Sequence, residues 1–118
     1  MITDLRTGGM AGGAPEQIMA TGIAVQVLRY WEIPCSVIAG ATDSKLIDFQ
    51  SGYEKALTIN SAAQTGANLI TQAAGSQASL MGINYSAMVA DNELIGACLL
   101  YTSPSPRDAT LSRMPSSA

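Results

Sequence analysis

The chain has 118 residues, a formal net charge of −3 and no histidine. Its basic residues ahead of position 98, Arg6, Arg29, Lys45 and Lys55, are scattered, so no basic stripe follows a phosphate backbone and nucleic acid is discounted as a partner. No imidazole is present for a zinc site or a catalytic triad. No apolar run approaches the roughly 20 residues of a membrane span, and the reading is of a cytoplasmic protein with no membrane partner.

The opening stretch, ITDLRTGGMAGG, is loop-like where a strand would be expected just upstream, so Met1 reads as an internal methionine. Pro15 suits the first turn of a helix and Glu16 its positive end, and a helix is predicted over residues 15–32. Ile18, Gly22 and Val25 fall on one side of it, with Met19, Ile23, Val27 and Tyr30 on the next. That apolar arc predicts burial over much of the circumference. Pro34 ends the helix. Residues 35–39 then form a short apolar strand, expected to be covered on both faces, with Cys35 as a small core residue.

A polar loop over 40–47 leads to a predicted helix over 48–65, with Gly66 placed for a left-handed cap. Tyr53, Leu57 and Asn60 share one side of this helix, and Ala56, Ile59 and Ala63 another. ANLITQ, residues 67–72, is a second strand, followed by a long Ala, Gly and Ser loop. A third helix is predicted over 86–96, carrying Met88, Val89, Leu94 and Ile95. Helix alternating with buried strand, one βαβ unit apart, predicts an α/β fold with a parallel sheet. Two parallel strands need neighbours for their backbone groups, so the segment reads as part of a larger domain.

From Cys98 onward, CLLYTSPSPRDATLSRMPSSA offers no apolar period for a helix or strand and reads as disordered. It also resembles, without a gap, the in-frame translation of a sequencing-library adapter. The expected division is therefore a partial domain over 1–97 and an artefactual tail over 98–118 that is not a domain.

Four stretches, ITDLRTGGMAGGAPEQ, VIAGATDSKLIDFQSGYEKAL, GANLITQAAG and VADNELIG, resemble in order and spacing the trimethylamine methyltransferase family with its quaternary-amine branch. The central TDSK, D, Q, GYEK pattern is the most specific part. The resemblance implies that the chain is about two and a half βα units of a (β/α)8 TIM barrel. It further implies a parent enzyme that moves a methyl group from a methylated amine to the cobalt of a corrinoid (cobalamin) carried by a separate partner protein. This segment itself would bind no metal, and the parent's oligomeric state is left open.

In such a barrel the loops leaving the carboxyl ends of the strands form the active face. The substrate-binding candidates are accordingly Asp43, Ser44, Lys45, Asp48, Gln50 and Tyr53, with Thr71 and Gln72 ending the next strand and Asp4 and Arg6 from the preceding loop. Each has a plainer role open to it: Asp48 as a helix cap, Lys45 as a solvated charge, Tyr53 packed under the loop. No catalytic residue is assigned, because reduced cobalt would be the nucleophile and a quaternary ammonium leaves as a neutral amine without a proton. Tyr53 with Asp43 or Asp48 would receive the cation.

Archaeal trimethylamine enzymes of the resembled family carry pyrrolysine close to where Ala41 and Thr42 stand here. Ordinary residues at that point go with the branch acting on quaternary amines such as glycine betaine. Two other readings are a phosphate-binding TIM-barrel enzyme, from TGGMAGGAPE opening a helix, and a non-catalytic barrel protein. The first lacks the GK[ST] ending of a P-loop. The 118-residue chain alone is expected to be inactive.

Overall fold

The computed structural model describes residues 2–102. After a turn whose ends meet at a single bridge between Thr3 and Met10, the elements run α1 (Pro15–Tyr30), β1 (Ser36–Ile38), α2 (Phe49–Thr65), β2 (Leu69–Thr71), β3 (Ser76–Gln77), β4 (Gly82–Ile83) and α3 (Tyr85–Thr102). The first two strands are parallel, with Ser36 opposite Leu69, Val37 opposite Ile70 and Ile38 opposite Thr71. Joining parallel neighbours requires a crossover, and α2 supplies it. The α/β class and the parallel pairing are as the residue pattern predicts. No helix among the described residues is long and apolar enough to cross a membrane.

Local chemistry explains the limits of the elements. Pro15 occupies the first helical position of α1, where its missing N–H removes nothing. The Asp48 side chain accepts from the Ser51 amide and caps α2. Gly66 ends that helix in the left-handed region, at φ 87° and ψ 37°, where a side chain would be strained. Cys35 is buried, and its amide and carbonyl are tied to Asn68 and Leu69 across the start of the strands.

The core lies on one face of the strand pair. Ile59 and Ala62 of α2 meet Ala39 and Cys98, with Val37, Ile70, Ala73, Leu94 and Ile95 packed around them. Side chains alternate across a strand, so Ser36, Ile38 and Leu69 point the other way and are exposed. The expectation that residues 35–39 would be covered on both faces is therefore corrected: within the described residues only one face has helices on it.

The predicted burial of α1 is corrected in the same way. Its Val25 side is buried, but Met19, Ile23, Val27 and Tyr30 are exposed. Only the strip toward α2 finds a partner, where the Arg29 guanidinium also donates to the Thr65 carbonyl at 3.1 Å.

Two more boundaries move. The loop after β2 contains an antiparallel hairpin, β3 with β4. Helix α3 runs to Thr102, so the first five residues of the expected disordered tail are helical. Cys98 explains the extension: it falls on the helix face that meets Ile59 and Ala62. The rest of that tail, residues 103–118, lies outside the described residues.

Large apolar side chains stand uncovered on both faces of the molecule: Met19 is 67% exposed, Trp31 62% and Leu69 57%. Patches of this kind drive association in water. Expressed alone, the 118-residue chain is expected to aggregate; a sharp, cooperative thermal transition from the purified chain would contradict this.

Candidate functional site

The first half of the inward face of α2, ahead of Ile59 and Ala62, is polar. Ser51, Glu54, Lys55 and Thr58 recur at helical spacing and are all buried. A buried carboxylate requires donors, and Glu54 has them: its Oε2 accepts from the Thr42 hydroxyl at 2.6 Å and the Asp43 amide at 2.9 Å, and its Oε1 from the Gln50 amide group at 2.9 Å and the Tyr53 hydroxyl at 3.5 Å. Thr58 Oγ1 accepts from the Gly40 amide at 3.0 Å. Together these bonds fix the loop that leaves the carboxyl end of β1.

With its backbone held, Asp43 reaches across to the segment before α1. Its Oδ1 accepts from the amides of Gly12 (2.8 Å) and Gly13 (3.3 Å) and from the Ser79 hydroxyl in a short hydrogen bond. Gly13 passes so close to Glu54 that a Cβ there would collide with its carboxylate. The glycine-rich run that could have offered backbone amides to a phosphate thus spends two of them on Asp43.

Ser44 is the next link. Its hydroxyl donates to Asp48 Oδ2 at 2.9 Å, while Asp48 Oδ1 takes the Ser51 amide at 2.9 Å. The Ser51 amide holds the Asp48 carboxyl below its ordinary value; desolvation opposes this and the Ser44 hydroxyl adds to it. Gln77, from the β3 arm, is buried; with its amide turned so that each atom meets a complementary partner, its nitrogen donates to the Ser44 and Leu46 carbonyls (2.9 and 3.3 Å) and its oxygen accepts from the Ser51 hydroxyl (3.2 Å).

A small apolar recess opens beside this network at the carboxyl end of β1. Ile2, Met10, Gly12, Ile38, Ala41 and Leu80 are among its walls. Asp43 Oδ1 lies just behind Gly12.

The structure brings Asp43, Ser44, Asp48, Gln50 and Tyr53 into one connected network and leaves the other candidates outside it. Lys45 is exposed and has no side-chain partner among the described residues. Asp4 is occupied in its own turn, accepting from the Arg6 amide at 2.9 Å and the Thr7 hydroxyl at 3.0 Å, with Arg6 Nε at 3.8 Å. Gln72 is exposed at the end of β2 with φ 61°, and Thr71 donates to the Val37 carbonyl between the strands. Tyr53 is 44% exposed and sits against Phe49, ring centroids 5.5 Å apart.

Thr42, Glu54 and Lys55 fall within the TDSK and GYEK stretches of the sequence reading without being named there as site residues, and neither Ser79 nor Asp91, whose Oδ2 lies 2.6 Å from Lys55 Nζ, is named. The signal for Glu54 and Lys55 was present: Ser51, Glu54, Lys55 and Thr58 form a polar i, i+3, i+4, i+7 stripe, which a buried helix shows only when that stripe has partners. Among the described residues, no group of three or more His, Cys, Asp or Glu is placed to hold a metal ion. Burial pushes the Cys98 thiol up from its ordinary value.

Parallel strands whose carboxyl-end loops converge on a shared polar network define an α/β protein with its candidate site in the position such folds use for ligands. A family model described as trimethylamine methyltransferase (MTTB) matches residues 1–114. The chain belongs to that family. It is 32% identical over 100 residues to a glycine betaine methyltransferase of Desulfitobacterium hafniense (strain Y51), covering 85% of this chain and 21% of that protein. It is 33% identical over 93 residues to a trimethylamine methyltransferase MttB of the same species (strain DSM 10664 / DCB-2), covering 79% and 18%. A Methanosarcina thermophila trimethylamine methyltransferase MttB is 30% identical over 92 residues, covering 78% and 19%. The chain spans about a fifth of the length of these curated relatives.

The Asp48 cap gives a test by pH. Its pKa is lowered in the folded helix, so the cap's contribution is complete above the ordinary aspartate value of about 4 and is lost as pH falls through the lowered value. In a peptide spanning residues 44–66, helicity followed by circular dichroism is expected to fall on acidification below that range. Asp48→Asn, which caps without a charge, is expected to flatten the profile; an unchanged acid limb in that variant would contradict the assignment.

Proposed function

We propose that this chain is part of a (β/α)8 barrel methyltransferase whose parent moves a methyl group from a quaternary or tertiary methylamine, glycine betaine-like by preference, to the cobalt of a corrinoid held by a separate cytoplasmic protein. The observation that carries the reading is Asp43: a carboxylate fixed by two backbone amides and a hydroxyl, next to a small apolar recess, at the carboxyl end of a parallel strand. Family membership supplies the reaction class.

The donor set fits this division of labour. A corrinoid, when bound, supplies the nucleophile, and the chain has no histidine to offer as a cobalt ligand. What its own residues do is orient and neutralise. Methyl groups on a quaternary nitrogen share its positive charge and favour apolar walls backed by a carboxylate, which is the pairing that Ala41, Ile38 and Asp43 make. From a quaternary nitrogen, or from a tertiary amine that arrives protonated, the C–N electron pair stays with nitrogen as the methyl moves and the amine departs neutral, so no side chain has to give up a proton. Holding the methyl in line is then the main task.

Two features favour a betaine-like donor. Ala41 and Thr42 are 1% and 0% exposed, and Thr42 is bonded to Glu54, so the loop is closed around ordinary small residues. One of the matched relatives is a glycine betaine methyltransferase. The uncovered strand face that holds Ile38 and Leu69 would be the barrel interior, covered by the remaining strands of the parent.

The test is reconstitution of the full-length parent with its corrinoid protein in the reduced state, following the cobalt spectrum as amines are added. Methylation of cobalt is expected with glycine betaine and at least tenfold more slowly with trimethylamine. Asp43→Asn is expected to lower kcat/KM about 10²-fold, the scale seen when one fixed electrostatic partner is removed. No spectral change with any methylated amine would overturn the proposal.

A further inference from the structure

The β3–β4 hairpin, absent from any sequence signal, is fastened at its base, arm and tip. At the base, Asp91 Oδ2 accepts both the Lys55 ammonium at 2.6 Å and the Gly75 amide at 2.7 Å, and the Asn84 amide closes onto the Gly75 carbonyl at 2.9 Å. Along the arm, Gln77 bridges the Ser44 carbonyl and the Ser51 hydroxyl. At the tip, the Ala78 and Ser79 amides donate to the Ser44 and Thr42 carbonyls, each at 2.8 Å, and the Ser79 hydroxyl donates to Asp43.

The turn between these anchors is strained. Ala78, Ser79 and Leu80 have φ of 50°, 54° and 74°, and Met81 closes the turn through its amide on the Ala78 carbonyl. Two central residues with positive φ are the geometry that Asn-Gly adopts readily and a Ser-Leu pair does not. Left-handed backbone in ordinary residues persists where surrounding contacts over-determine it, and such places cluster at functional sites. Here its effect is to place Leu80 in the wall of the recess, facing a space also bounded by Ile2, Met10, Ile38 and Ala41.

We propose that Leu80 is the specificity-determining residue of this site: its side chain, presented by the strained turn, limits the bulk of the N-alkyl group that the recess admits beside Asp43. The proposal rests on the reading of the site as one for methylated ammonium compounds. A fixed wall suits this role better than a moving one, because the tip is tied to the same carboxylate that would face the cation. One carbon more or less in an apolar pocket changes selectivity by about 10-fold to 200-fold, so a single side chain in the wall is enough.

The experiment compares the full-length parent with its Leu80→Ala variant, measuring methyl transfer to the reduced corrinoid protein from glycine betaine and from its analogue with one N-methyl replaced by N-ethyl. Leu80→Ala is expected to shift the kcat/KM ratio toward the ethyl compound by tenfold or more. Met81→Ala, at an 84% exposed position beside the tip and outside the recess, is expected to leave the ratio unchanged. Should Leu80→Ala misfold, Leu80→Gly, which the left-handed backbone accepts, is expected to give the same shift. A ratio unmoved in a folded Leu80 variant, or moved equally by Met81→Ala, would overturn the inference. Absence of transfer by the unaltered enzyme from either compound would instead count against the reading of the site.

Discussion

The structure depends on a buried carboxylate. Glu54 is 5% exposed, and a charge in that position is tolerated only when its lone pairs are taken up. Four donors from the loop and from its own helix do so. The consequence spreads outward: Thr42 and the Asp43 backbone are fixed, Gly13 must have no side chain, and the start of α1 is drawn to the end of β1 through the amides that Asp43 accepts. Three segments distant in sequence are thus joined through two acidic side chains, each saturated by donors on at least one oxygen.

The buried pair of Lys55 and Asp91 does the same work at the next residue of α2, tying it to α3 and to the loop after β2. Such a pair is a poor source of net stability, because desolvating both charges offsets their attraction. Its value is positional. An apolar pair of equal volume could hold α2 against α3, but it could not also receive the Gly75 amide and so set where the hairpin begins.

The helices and the sheet pairing were legible because they follow from local rules. Pro15, Asp48 and Gly66 mark helix ends by backbone chemistry that needs no tertiary partner. The hairpin was not legible, since SQASLMGI has neither the alternation of a half-buried ribbon nor an Asn-Gly turn, and its conformation is imposed by Asp43, Ser44 and Asp91 from elsewhere. The site was half legible. The loop polar residues were recognised as a group, but Tyr53 lies toward the outer side of α2, while the residues that organise the loop, Glu54 and Thr58, occupy the inner side. Burial was overestimated for α1 and β1, because an apolar pattern records what a surface can pack against and says nothing of whether the partner lies within these residues.

The polar residues had to share one rim for any common function, and the hydrogen bonds decide this directly. Parallel strands put both of their following loops at the same end, so the 40–48 loop and the hairpin after β2 emerge side by side. They are then joined by amide-to-carbonyl bonds from Ala78 and Ser79 to Ser44 and Thr42. The segment before α1 reaches the same place through Gly12 and Gly13. Asp43 is where all three meet, and it is fixed through one oxygen only: among the described residues no donor reaches its Oδ2. On the proposed reading, a carboxylate oriented through one oxygen, with the other directed to no protein partner among the described residues, would be preorganised for a cation. The apolar recess bounded by Ala41, Ile38 and Leu80 would, on the same reading, favour a cation that carries carbon rather than hydrogen on its nitrogen.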